Sequence, residues 1–197
     1  MTEDIKVKNY VNYKRYLENL IGVDKTQKLI ELLGGEERIM NASFGMSLDS
    51  GSAYDGAFVE NVIAISRYAS SLNELLPDYM RVNNKSIYKV ALLQHIAKVV
   101  MYEKNDNEWE VKNRGFIYKF IDHDTALRGG ERALFILMLV GIVLNEDEFE
   151  ALRIVDKMKE DDAYAKFYSN TLAFIICQAN DMVGTINKQS LKTSTHG

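Results

Sequence analysis

The stretch AFVENVIAISRYASSLNELLP, Ala57 to Pro77, decides how the chain is read. Phe58, Val62, Ile65, Ala69, Leu72 and Leu76 recur at three and four residues through five turns, the apolar stripe of an amphipathic helix. Pro77, the only proline in the sequence, stops the pattern. Working toward the N-terminus, Tyr13, Tyr16, Leu17 and Leu20 repeat the spacing, and Leu29, Leu32 and Leu33 suggest a short helix closed by Gly34-Gly35. Toward the C-terminus, Ser86 offers a cap for a helix bearing Ile87, Val90, Ala91 and Leu93 and reaching about Lys98. Further helices are expected at Glu131–Leu144, Glu146–Met158 and Tyr164–Asn187.

One region breaks the helical period. Val99-Val100-Met101-Tyr102, Trp109-Glu110-Val111 and Phe116-Ile117-Tyr118 flank the turn-rich Asn105-Asp106-Asn107 and read as short strands, a small β-hairpin insertion around 99–121. Its aromatic residues Tyr102, Trp109, Phe116 and Tyr118 suit either a lid or a docking edge. The expected fold is therefore all-α with this single insertion. No linker or low-complexity block divides the 197 residues. The chain reads as one domain, 1–197: N-terminal helices over 1–38, a core over 39–188 and a polar tail over 189–197.

Composition excludes several classes of function. With 47% hydrophobic and 26% charged residues the chain has the make-up of a globular domain. Lys and Arg total 24 against 28 Asp and Glu, and a net charge of -4 argues against nucleic acid as the main partner. The longest apolar run, Ala133 to Leu144, falls well short of the roughly 20 residues that span a bilayer. The N-terminal MTEDIKVKNY lacks the apolar segment of a secretory signal, so a cytoplasmic location is expected. The single cysteine, Cys177, lies in the apolar Phe174-Ile175-Ile176 context of an inert buried thiol. No phosphate-binding loop, dinucleotide fingerprint, zinc-finger spacing or nucleophile elbow is present. His123, between Asp122 and Asp124, reads as a solvated turn. His95 reads either as a core imidazole or as a ligand in a site rebuilt with Glu60, Asp181 and His123 or Asp124.

Five strings carry a family likeness: NASFGMSLDSGSAYDGAFVEN at Asn41–Asn61, KVALLQHIAK at Lys89–Lys98, ALRGGERALFIL at Ala126–Leu137, EDEFEALRIV at Glu146–Val155 and CQANDM at Cys177–Met182. In order and spacing they resemble the HD-domain metal-dependent phosphohydrolases of the bacterial and phage branch, over roughly Leu20 to Lys188. The resemblance implies a helical bundle in which histidines and aspartates from separate helices hold divalent metal, because hydrolysis needs a metal to generate hydroxide and to neutralise phosphate charge.

At the matching positions most of those ligands are replaced. Asn61 stands where a histidine follows the family's glutamate, and Gln94-His95 stands for the histidine-aspartate pair. Gly129 occupies the histidine of the glycine-histidine-glycine turn, and Val155 another histidine. Asp181 matches the one carboxylate retained. A lone carboxylate among amide, glycine and valine supplies too few donors for a divalent ion. The resemblance thus implies a non-catalytic protein with no cofactor, working as an oligomeric structural or assembly subunit, with a phage virion or assembly component as its concrete form. Its contacts with other proteins, or with its own copies, are expected from Tyr10, Tyr13, Tyr16 and Trp109. The alternatives are a non-hydrolysing nucleotide-binding regulator using the cations Arg128, Lys98 and Arg132, with Arg128 also able to replace the missing metal charge beside Asp181, and a phosphohydrolase with a rebuilt site.

Overall fold

The computed structural model describes residues 1–154 and 170–194. Among them the fold is predominantly helical, with one two-stranded sheet. Helix α1, Glu3–Ile21, turns Tyr10, Tyr13 and Leu17 into the core at intervals of three and four. Tyr13 is fully enclosed: its ring meets Phe58 edge-on at 5.9 Å and its hydroxyl donates to the Leu92 carbonyl at 3.3 Å. Of the tyrosines expected at an interface, Tyr10 and Tyr13 are thus core residues, because their spacing is also the spacing of a buried helix face. Tyr16 alone remains partly accessible, stacked on Tyr88. Helices α2, Val23–Leu32, and α3, Glu36–Asn41, follow, separated by Gly34-Gly35, where both residues have positive φ.

Helix α4, Ala57–Leu75, is the hub, packing on α5 (Asn84–Leu93) and on α10 (Thr171–Ser194). Past Pro77, the buried Asn73 closes the connection by donating to the Val82 carbonyl and accepting the Val82 N–H. The cap of α5 is Asn83, whose side chain accepts from the Lys85 N–H at 2.8 Å, rather than Ser86. Ser86 lies within the helix and donates to Glu148. Glu148 is itself buried, paired with Lys89 at 2.8 Å, and closes the capping box of α9 (Glu146–Arg153) with Asn145.

The insertion is a hairpin of a different make-up from the one expected. Val99 to Met101 belong to helix α6, Lys98–Met101, because Val99 is held in the core and the tertiary packing overrides strand preference. Strand β1, Tyr102–Lys104, pairs antiparallel with β2, Tyr118–Phe120, in the register Tyr102 with Phe120 and Lys104 with Tyr118. Between them Trp109-Glu110-Val111 forms helix α7, Glu108–Arg114. Asn107 caps it, Glu108 and Glu110 face its positive end, Lys112 and Arg114 its negative end, and Gly115 stops it in a left-handed conformation. Phe116 forms an isolated bridge to Ser47 rather than part of a strand.

Helix α8, Gly129–Val140, ends at Gly141 rather than continuing to Leu144. The expected helix at Tyr164–Asn187 is seen as α10, which extends through the supposed polar tail as far as Ser194. The remainder of that tail, the expected extension of α9 to Met158 and the start of the last helix fall outside the described residues. One continuous apolar core joins α1 to α6 and α8 to α10, with Leu29, Phe58, Ile65, Leu92, Leu93, Leu137, Leu152 and Ile176 among its enclosed side chains. No helix among the described residues is long and apolar enough to cross a membrane.

Candidate functional site

Two of the residues singled out by the family resemblance, Gln94 and His95, meet α10 where the C-terminus of α5 faces it. Gln94 directly follows α5 and is buried; Asn180 projects from the middle of α10. Their amides bond reciprocally: Asn180 Nδ2 donates to Gln94 Oε1 at 2.9 Å, and Gln94 Nε2 donates to Asn180 Oδ1 at 3.4 Å. The same Asn180 oxygen lies 2.9 Å from His95 Nε2. Since that oxygen can only accept, His95 is the tautomer protonated at Nε2.

His95 is a neutral group by placement. Burial pushes its pKa down to about 3, and the Lys98 ammonium adds to the shift, while the hydrogen bond to Asn180 opposes it. The ring meets Phe44 edge-on at 4.8 Å. Lys98 spans the same corner, donating to the Phe44 carbonyl at 2.7 Å with its ammonium 3.8 Å from the Phe44 ring centre.

A second amide rung lies two turns further along α10. Asn61, buried on α4, donates to the Ala57 carbonyl one turn back at 2.7 Å and accepts from Asn187 Nδ2 at 2.6 Å. Asn180 and Asn187 are seven residues apart and so share one face of α10. That face is stitched to α5 and α4 through neutral amides.

Asp181 does not belong to this cluster. It is exposed, one residue past the position that α10 turns inward, and a step of one residue rotates a side chain by about 100° around a helix. The inward residue is Asn180. Among the described residues no ion pair joins Asp181 to Arg128, so the expected substitution of a guanidinium for the metal beside Asp181 is not formed. Glu60 accepts from the Tyr54 hydroxyl at the surface, and His123 and Asp124 are exposed. No group of three or more histidine, cysteine or acidic side chains among the described residues is placed to hold a metal ion. Val155 lies outside the described residues. Cys177 is buried in the core, as its context implies.

Gly129 opens α8 beside the cluster, and with Gln94, His95, Ala97, Lys98, Met101, Tyr102, Phe120 and Arg128 it lines a cavity of about 190 Å³. Arg128 and Lys98 therefore reach one place. Arg132 does not: its Nη2 donates to the Thr125 carbonyl at 3.0 Å, and its buried Nε has no hydrogen-bond partner among the described residues. Trp109 stands well exposed on α7, away from this cavity's lining.

Comparison with protein-family models, with curated protein sequences and with solved structures returns no match. The reading of the site rests on its own chemistry. Sequence reasoning placed Gln94 and His95 together and missed Asn180 in favour of its neighbour. The signal was present in the helical spacing: Leu172, Ile176, Ala179 and Val183 are buried, and Asn180, one turn beyond Ile176, falls on their side of α10.

Proposed function

We propose that this chain is a non-catalytic protein with an HD-like helical fold, working through contacts with other proteins as a structural or assembly subunit. The observation that supports it is the closed set of neutral groups at Gln94, His95 and Asn180. A hydrolytic metal centre needs anionic oxygens and free imidazole nitrogens. Here two carboxamides satisfy one another, and the imidazole Nε2 is spent on an amide oxygen. Both amide rungs tie α10 to its neighbours, and in each one partner, Gln94 or Asn61, stands at a position that carries chemistry in the family the chain resembles. Metal-stimulated hydrolysis assayed across nucleoside mono-, di- and triphosphates with magnesium, manganese, nickel and zinc is the test. No turnover above the uncatalysed rate is expected; turnover abolished by His95→Ala or Asn180→Ala would overturn the reading.

A second reading has one observation in its favour, the convergence of Lys98, Arg128 and the N-terminus of α8 on the same cavity. Cations beside an amide floor and aromatic walls favour an anion. At about 190 Å³ the cavity is below the roughly 300 Å³ at which ordinary ligand pockets begin, so a small oxyanion suits it better than a whole nucleotide. Thermal stabilisation by inorganic phosphate or small carboxylates, lost in Lys98→Ala, would support this reading, and a flat response would remove it.

A further inference from the structure

The cavity that Lys98 and Arg128 reach holds one polar atom that the amide cluster leaves unused. Asn180 Oδ1 accepts the His95 Nε2 proton at 2.9 Å, so the other ring nitrogen, Nδ1, keeps a lone pair. No donor among the described residues reaches it. Nor is Nδ1 one of the fully enclosed side-chain polar atoms without a partner. It therefore opens onto space that solvent enters, and the space His95 lines is this cavity of about 190 Å³.

Sites that hold anions are ordinarily built from donors, N–H groups and cations alone. Here two cations share the walls with an acceptor, and no carboxylate belongs to the described lining. Glu131 on α8, which accepts the Arg128 N–H at 2.9 Å, is exposed and not part of that lining. An ion whose oxygens are all ionised would set a lone pair against that of Nδ1. The ring could answer only by taking up a proton, and burial with the Lys98 charge holds its pKa down to about 3. An ion that brings its own proton meets no such conflict. Its O–H donates to Nδ1 while its charged oxygens turn to Lys98 and Arg128.

Resting on the reading of this cavity as an anion site, we infer that it selects an oxyanion carrying a proton, hydrogen phosphate, over fully ionised ones, and that His95 Nδ1 is the atom that reads the proton. Lys98 and Arg128 supply the attraction, and His95 supplies the choice. A water occupies about 30 Å³ of the liquid, so the cavity has room for such an ion. A phosphate monoester fits less well, because its second proton leaves near pH 6 and its oxygens are ionised at pH 7.5. A site built around one hydrogen bond discriminates strongly against a ligand that cannot make it.

The experiment is calorimetric titration of the full chain at pH 7.5 and constant ionic strength with inorganic phosphate, sulfate and methyl phosphate in turn, repeated on Arg128→Gln and His95→Phe. The melting temperature of each variant is recorded without ligand. Phosphate is expected to bind one to one, roughly tenfold or more tighter than sulfate or methyl phosphate. Arg128→Gln, a change at an exposed side chain, should weaken phosphate by a similar factor. His95→Phe, which keeps a ring without a nitrogen, should bring phosphate down to the level of sulfate. If His95→Phe does not fold, nitrogen-15 NMR of the wild-type imidazole decides: phosphate should move the unprotonated Nδ1 resonance upfield, and sulfate should not. Sulfate or methyl phosphate bound as tightly as phosphate, a phosphate preference that survives His95→Phe, or an Nδ1 resonance indifferent to phosphate would overturn the inference and leave the anion reading standing. Absence of binding by all three ions would remove both.

Discussion

Because His95 is held neutral inside the fold, the protein's stability should depend on pH through this one side chain. In the unfolded chain an imidazole titrates near pH 6.5, whereas in the folded state its pKa is lowered to about 3. The unfolded state therefore binds a proton that the folded state refuses. Stability from this group is fully present above pH 6.5 and is lost progressively as pH falls from there toward 3. Between pH 7 and pH 5 the linkage amounts to about 2 kcal/mol, since the folded imidazole stays unprotonated over the whole interval. Urea unfolding of the wild type and of His95→Gln at half-unit steps from pH 7.5 to 5 isolates the effect, because the carboxylates common to both proteins cancel in the difference. The wild type should lose about 2 kcal/mol more than the variant over that range. Parallel curves, or an NMR titration of the His95 ring with a midpoint near 6.5 in the folded protein, would refute the reasoning.

Two further substitutions probe the framework that holds the site. Glu148→Ala removes at once the partner of Lys89, the acceptor for Ser86 and half of the α9 capping box, and should cost about 3 kcal/mol in urea unfolding, as for other buried pairs broken from one side. Gly51→Ala should destabilise by about 2 kcal/mol or more, because Gly51 has φ +67° and a Cβ there would overlap the backbone of Asn187 on α10; a melting temperature unchanged from wild type would contradict it. Trp109→Ala should leave stability within about 0.5 kcal/mol of wild type, the ring being 62% exposed.

Most of the helical architecture was legible in apolar spacing. Ala57 to Pro77 was read almost to the residue, since a five-turn stripe bounded by glycine and proline admits one structure. What spacing alone could not decide was which apolar residues meet the core and which meet water. Tyr10 and Tyr13 look adhesive in sequence and are core; Phe135, Met138 and Leu139 sit in the most apolar run of the chain and are exposed. The insertion shows a second limit. The β-branched Val99-Val100 pair was drawn into a helical turn by the core, while Asn107 and Gly115, which bound α7, were passed over in reading Asn107 as turn and Trp109-Glu110-Val111 as strand. At the candidate site the neutral character was legible in Asn61, Gln94 and Gly129, none of which carries a charge. The identity of the inward residue on α10 was not, because Asn180 and Asp181 differ in direction by one step of the helix, and only packing fixes its phase.

The account stands most directly on the claim that Gln94, His95 and Asn180 form a neutral cluster with no place for a cation. Calorimetric titration of manganese and of zinc into the chelator-treated full chain at pH 7.5 measures it. The account predicts no binding that differs between wild type and the double variant His95→Ala, Asn180→Ala. One-to-one binding at micromolar affinity, lost in that variant, would contradict it.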